Sequence, residues 1–179
     1  VCISTDKACK PVNVMGITKS LQERIFLSAN INNPSTRFVA VRYGNVFASR
    51  GSVVPLFHDQ IRLGGPVTIT VPEMTRFLLT LDQAVDTVYA ALANAWPGEI
   101  IVPRAPAASV IDIAKALIGD RNIEIRITGI RPGEKMHEIM ISDEEALYAR
   151  TAGDYYAISS MLPELHSFEG VEFPRALSS

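Results

Sequence analysis

Cysteine is scarce: Cys2 and Cys9 are the only two in 179 residues. That excludes a disulfide framework and a cysteine-built zinc site, and it makes a reducing, intracellular setting the default. No unbroken apolar run reaches the roughly 18 residues that a spanning helix needs. No signal peptide is visible. Neither sign of charge dominates. The 17 Lys and Arg stand against 19 Asp and Glu, so nothing points to a nucleic-acid binder or a polybasic membrane clamp. The phosphate-cradling patterns G-x-G-x-x-G and G-x-x-x-x-G-K-[ST] are missing. So are H-E-x-x-H and G-x-S-x-G. His58, His137 and His166 are far apart, which fits surface or hydrogen-bonded histidines better than a metal site. No repeat or low-complexity segment stands out. With 47% hydrophobic and 20% charged residues, the composition is that of a globular chain rather than a disordered or collagen-like one.

What is there alternates. Val1–Ser4 is a short apolar run. Val14–Asn30 has its apolar residues mostly three and four apart and reads as a helix, with Asn13 as N-cap. Arg37–Tyr43 is rich in strand formers. Residues 44–52 read as a loop, and Val53–Leu63 as a helix stopped by Gly64, Gly65 and Pro66. A strand at Val67–Val71, a helix at Leu81–Ala95 and a strand at Glu99–Val102 follow. A helix at Val110–Ile118, a strand at Ile123–Ile127, a loop over 129–138 and a short strand at Tyr155–Ile158 complete the pattern. The alternation predicts an α/β chain. From Pro163 onward the chain reads as a loosely packed tail.

The densest cluster of reactive side chains is Ser4-Thr5-Asp6-Lys7, at the end of the first predicted strand. Open α/β sheets bind ligands at the carboxyl ends of their strands. The plainer alternative is that Thr5 and Asp6 simply cap a turn. Lys19 follows Met15 by four residues, so the two share a helix face.

The stretch I-S-T-D-K-A-C-K-P-V-N-V-M-G-I-T-K-S at 3–20 closely resembles the active-site segment of extended short-chain dehydrogenase/reductases. The specific resemblance is to the CapD-like polysaccharide-biosynthesis group and its inverting UDP-N-acetylglucosamine 4,6-dehydratases. Further segments agree in order: V-R-Y-G-N-V-F-A-S-R-G-S-V-V-P-L-F at 41–57, G-G-P-V-T-I-T at 64–70, M-T-R-F at 74–77 and G-I-R-P-G-E-K-M-H-E at 129–138. The resemblance implies the C-terminal half of a Rossmann-type NAD(P)-binding domain with a small α/β substrate-binding domain. It divides the chain into 1–102, the second Rossmann half with interleaved substrate-domain segments, 103–163, mainly the substrate-binding domain, and a tail at 164–179. The glycine-rich cofactor turn would belong to a preceding half. This agrees with a chain that starts on Val1, and it implies that the chain alone is inactive.

The implied reaction is an internal redox elimination. C4 of the sugar is oxidised transiently by bound NAD or NADP, water is lost across C5 and C6, and hydride returns to C6. By resemblance, Thr5 hydrogen-bonds the C4 hydroxyl, and Asp6 and Lys7 run the elimination. Lys7 as a base must be partly neutral, through burial or a nearby positive charge such as Lys19. Lys in place of the Glu of retaining dehydratases marks the inverting subgroup. Lys19 matches the lysine of Y-x-x-x-K and holds the nicotinamide ribose, with Tyr43 as a second cofactor residue. Met15 occupies the tyrosine position, and a thioether cannot take a proton. The C4 proton then goes to Thr5 relaying to water, or to Lys7. For the nucleotide, the resemblance implies Asn45 near the sugar–diphosphate junction, and Arg50, Gly51 and Ser52 as an anion loop. Arg76 and Arg131 are implied at the diphosphate or uridine ribose, and Glu134 at a ribose hydroxyl. No metal is implied. The partner is a UDP-N-acetylhexosamine, and the intact protein is expected as a homo-oligomer. Its expected setting is cytoplasmic, with attachment to the inner membrane through an upstream region left open. A UDP-sugar 4-epimerase of the same family and a non-catalytic sugar-nucleotide-binding module are the competing readings.

Overall fold

The computed structural model describes residues 1–47, 49 and 51–168. In chain order the elements are β1 (Cys2–Thr5), a 3-10 turn (Asp6–Ala8), α1 (Val14–Asn32), β2 (Ala40–Tyr43), β3 (Asn45–Val46), α2 (Val53–Arg62), β4 (Val67–Ile69) and β5 (Thr75–Leu79). Then come α3 (Leu81–Asn94), β6 (Ile100–Pro103), β7 (Ala107–Ser109), α4 (Val110–Ile118), β8 (Ile125–Ile127), α5 (Asp143–Ala146), β9 (Ala149–Ala152), β10 (Tyr155–Ile158) and a final 3-10 segment (Pro163–Phe168). The α/β expectation holds. Among the described residues no helix is long and apolar enough to cross a membrane.

The chain forms two compact units, and it passes between them repeatedly. Among the described residues, the first contains 1–43, 82–104 and 139–168; the second contains 44–81 and 105–138. Residues 139–158 return to the first unit because β9 and β10 complete its sheet.

That sheet has the order β1-β2-β6-β10-β9. β1, β2 and β6 run parallel, and β10 is antiparallel to both β6 and β9. Neighbouring side chains on a strand face opposite ways, and here both faces are covered. Val41, Ile101 and Ala157 pack with Ala91 and Ala95 from α3 and its end. The next residue, Arg42, turns to the other face and meets Glu23 of α1. A parallel sheet covered on both faces explains why β2 is a run of buried residues rather than an alternation.

In the second unit α2 and α4 bury Val54, Phe57, Ile61, Val110, Ile113, Ala114 and Ile118 against Val67 and Ile69 of β4. β4 pairs with β8 in parallel, and β3, β5 and β7 form a separate small sheet. α4 starts where the sequence predicts. The Ser109 hydroxyl accepts from the Asp112 amide, a standard N-cap. The loop expected over 44–52 contains the two-residue strand β3. The expected tail is docked at its start: Leu165 is buried.

Candidate active-site turn and nucleotide-site residues

β1 ends on Thr5 in extended conformation, and the chain tightens into the 3-10 turn. Thr5 caps that turn: the Lys7 amide donates to its Oγ1 at 3.5 Å. Thr5 therefore does cap the turn, as the plainer alternative expects of it. The three side chains also meet. Thr5 Oγ1 donates to Asp6 Oδ1 at 2.9 Å, and Lys7 Nζ donates to the same oxygen at 3.0 Å. Asp6 is fully buried, and its Oδ2 has no hydrogen-bond partner. Buried carboxylate oxygens are rarely left in that state without a reason. The charge beside Lys7 is that of Asp6.

The α1 helix backs this turn. Asn13 caps it by accepting from the Gly16 amide at 2.8 Å. A Cβ at Gly16 would fall well inside van der Waals contact of the Lys7 carbonyl oxygen, with Pro11 Cβ at 3.1 Å. Only glycine lets the helix come this close. Met15 is half exposed. Lys19, one turn later, donates from Nζ to the Ile3 carbonyl of β1 at 3.2 Å. Tyr43 closes β2 as the register partner of Thr5. Burial raises its phenol above the ordinary value. Thr5 and Tyr43 thus stand side by side at the carboxyl edge of the parallel strands, where such sheets hold ligands.

The predicted nucleotide residues belong to the second unit. Asn45 is half-buried in β3, opposite Leu78 of β5. Arg50 lies outside the described residues. Gly51 has φ +77°, and Ser52 stands at the N-cap of α2 without a side-chain capping bond. Its Oγ is buried and unpartnered. Arg76 is committed to backbone: its guanidinium donates to the carbonyls of Thr75, Met136 and Lys135 at 2.6, 3.2 and 3.1 Å. It fastens the segment that follows Arg131 rather than standing open. Arg131 is exposed and lies 3.9 Å from Glu134 Oε1. Glu134 Oε2 is buried and unpartnered. Among the described residues no group of His, Cys, Asp and Glu is placed to hold a metal ion.

The profile of the family described as "Polysaccharide biosynthesis protein" matches residues 1–160. The chain belongs to that family. It is 48% identical over 151 residues to the capsular polysaccharide biosynthesis protein CapD of Staphylococcus aureus, covering 81% of this chain and 25% of CapD. It is 46% identical over 162 residues to a UDP-glucose 4-epimerase of Rickettsia massiliae, covering 88% of this chain and 48% of that protein. Among solved structures, Pen from Bacillus thuringiensis matches with a TM-score of 0.82 at 37% identity, over 88% of this chain and 50% of Pen. The dTDP-glucose 4,6-dehydratase DesIV of Streptomyces venezuelae, solved with NAD, matches with a TM-score of 0.68 at 14% identity, over 80% of this chain and 51% of that one. At that identity the likeness shows the fold alone. The chain spans about half the length of the Rickettsia protein and a quarter of CapD.

This family member also contains a network that its sequence hides. Arg42, buried in β2, donates to Glu23 Oε1 and Oε2 at 3.1 and 2.7 Å. It also donates to Glu145 Oε2 and Oε1, each at 2.9 Å, and to the Met140 carbonyl at 2.8 Å. Burial alone would lower the pKa of Arg42, but the two carboxylates outweigh it and hold it above the ordinary arginine value. Burial pushes Glu145 up, while Arg42, the Ser142 amide and Cys9 bring it down to about 2. The one sequence signal was a lone cation inside the apolar run V-A-V-R-Y. A cavity of about 280 Å³, lined by Glu23, Leu27, Ile100, Ile158 and Met161 among others, opens beside this network. It lies at the amino end of β6, the opposite end of the sheet from Thr5.

Proposed function

We propose that the chain carries the reacting turn of an inverting nucleotide-sugar 4,6-dehydratase acting on a UDP-N-acetylglucosamine-type substrate in polysaccharide biosynthesis. The observation that carries this reading is one buried carboxylate oxygen, Asp6 Oδ1, bonded at once by Thr5 and Lys7 at the carboxyl end of a parallel strand. The family membership and the nucleotide-sugar enzymes among its relatives support the substrate class.

A nicotinamide dinucleotide, NAD or NADP, would supply the transient oxidation at C4. The fit rests on Lys19, an exposed ammonium with one backbone acceptor, and on Tyr43 beside Thr5. These two would hold its ribose end. Thr5 orients the C4 hydroxyl, since its own hydroxyl both donates and accepts. Met15 offers no proton acceptor, so the C4 proton passes through the Thr5 hydroxyl to water, or goes to Lys7 once it is neutral.

The elimination starts from the resting ion pair. Transfer of one proton from Lys7 to Asp6 along their hydrogen bond creates a neutral amine and a carboxylic acid together. Lys7 then takes the C5 proton, Asp6 protonates the departing C6 hydroxyl, and water leaves. This restores the ammonium and the carboxylate. The proton released at C4 is available to C5 when hydride reaches C6, so the net change is loss of one water.

The test uses the full-length protein with UDP-N-acetylglucosamine in heavy water. The dehydratase reading expects a 4-keto-6-deoxy product carrying solvent deuterium at C5. The relative named UDP-glucose 4-epimerase favours a second reading, 4-epimerisation. That reaction needs no C5 base, and it gives a product that keeps its water and contains no deuterium at C5.

A further inference from the structure

We propose that the acidic first turn of α5, acting through Cys9 and Lys10, positions the Thr5–Asp6–Lys7 turn for chemistry. This rests on the reading of that turn as the reacting site. A single 3-10 turn has weak hydrogen-bond geometry. Its own bonds are the Cys9 amide to the Asp6 carbonyl at 3.2 Å and the Lys7 amide to Thr5 Oγ1 at 3.5 Å. These bonds alone do not fix three reactive side chains.

Two elements support it. The bare Cα of Gly16 in α1 lies against the Lys7 carbonyl. In addition, α5 reaches the two residues that follow the turn. The Cys9 thiol donates to Glu145 Oε2 at 3.5 Å, in a buried position. Lys10 Nζ lies 3.0 Å from Asp143 Oδ2 and 3.5 Å from Glu144 Oε2. Lys10 is also the one non-glycine residue with positive φ, +43°, among the described residues. L-residues hold that conformation only where their surroundings impose it, and the paired carboxylates of α5 are part of those surroundings.

Glu145 is a rigid anchor rather than a mobile side chain. It accepts two bonds from Arg42 and one from the Ser142 amide at 3.0 Å, while its own amide donates to Ser142 Oγ at 3.2 Å. Arg42 is held in turn by Glu23 and the Met140 carbonyl. The position of α5 is therefore set by the buried network and passed on to the turn by Cys9.

Two variants of the full-length protein test this. Cys9→Ala removes the thiol donor but keeps a small apolar side chain. Asp143→Ala with Glu144→Ala removes the partners of Lys10 at exposed positions, where folding is not at stake. The expected result for both is amide hydrogen exchange about tenfold faster at Lys7 and Cys9, with Val41 in β2 unchanged. With a nucleotide sugar, kcat should fall about tenfold at nearly constant KM, and Cys9→Ser, which keeps a donor, should restore it. Unchanged exchange at Lys7 and Cys9 in both variants overturns the proposal. Faster exchange with unchanged kcat overturns it too, because α5 is then only a structural tie. A wild-type protein inactive on every nucleotide sugar defeats the functional reading alone, and the exchange measurement still decides whether α5 holds the turn.

Discussion

At the scale of single residues, the proposed chemistry depends on a proton that Lys7 and Asp6 share. Asp6→Asn keeps the shape and the hydrogen-bonding capacity but cannot cycle between carboxylate and acid. We expect product formation to fall about 10²–10⁴-fold with substrate binding retained, read from kcat and KM. Lys7→Met should do the same to elimination. If Lys7→Met left turnover intact, the 4-epimerase reading would gain. Gly16 makes a steric demand of a different kind. Gly16→Ala adds a methyl against the Lys7 carbonyl. Overpacking of this sort costs about 1–3 kcal/mol, to be seen as a lower denaturant midpoint together with lost activity. The adjacency of Thr5, Asp6 and Lys7 made this cluster legible in the sequence. Its one-oxygen geometry was not, because sequence does not say which side chains turn toward which atom. The commitment of Arg76 to three backbone carbonyls was equally hidden, since a surface arginine and a loop clamp look alike as letters.

At the scale of elements, the sheet is locked from within. Arg42 of β2 joins α1 through Glu23 and α5 through Glu145, partners 19 and 103 residues away in sequence. Arg42→Met would leave two buried carboxylates without their counter-charge. Breaking a buried pair by removing one partner costs about 3–5 kcal/mol, measurable as a drop in unfolding free energy. A loss below ~1 kcal/mol would mean that solvent reaches the network. A strong period and a clear cap made α4 readable to the residue, and its strand-forming residues did the same for β10: Val110–Ile118 and Tyr155–Ile158 are as predicted. β5, β7 and β9 were not foreseen. Apart from the buried Leu79 of β5, their residues are half-buried or exposed, with no two-residue alternation. Their partners make them strands, and the pattern of their own residues does not announce it. α5 is four residues long, too short for any periodicity to show.

At the scale of the molecule, two units are each assembled from separated stretches of chain, and the sheet of the first is completed only by residues near 155. Its stability should therefore follow the ionisation of the buried network. Glu145 is held at about 2 in the folded state against an ordinary 4.5. Between these values the unfolded chain binds more protons, so stability rises with pH. The contribution is complete above pH 4.5 and fades as pH falls toward 2. Glu145→Gln should flatten the pH dependence of unfolding in that window and leave it unchanged near neutrality. An identical slope in both proteins would contradict the assigned ion pair. The central claim is that one lysine–aspartate pair runs an elimination, and product analysis of the full-length protein in heavy water tests it most directly. With UDP-N-acetylglucosamine, the account predicts a 4-keto-6-deoxy sugar with deuterium at C5 from the wild type, and almost none from Asp6→Asn. Undiminished keto product from Asp6→Asn, or a 4-epimer free of deuterium from the wild type, would contradict it.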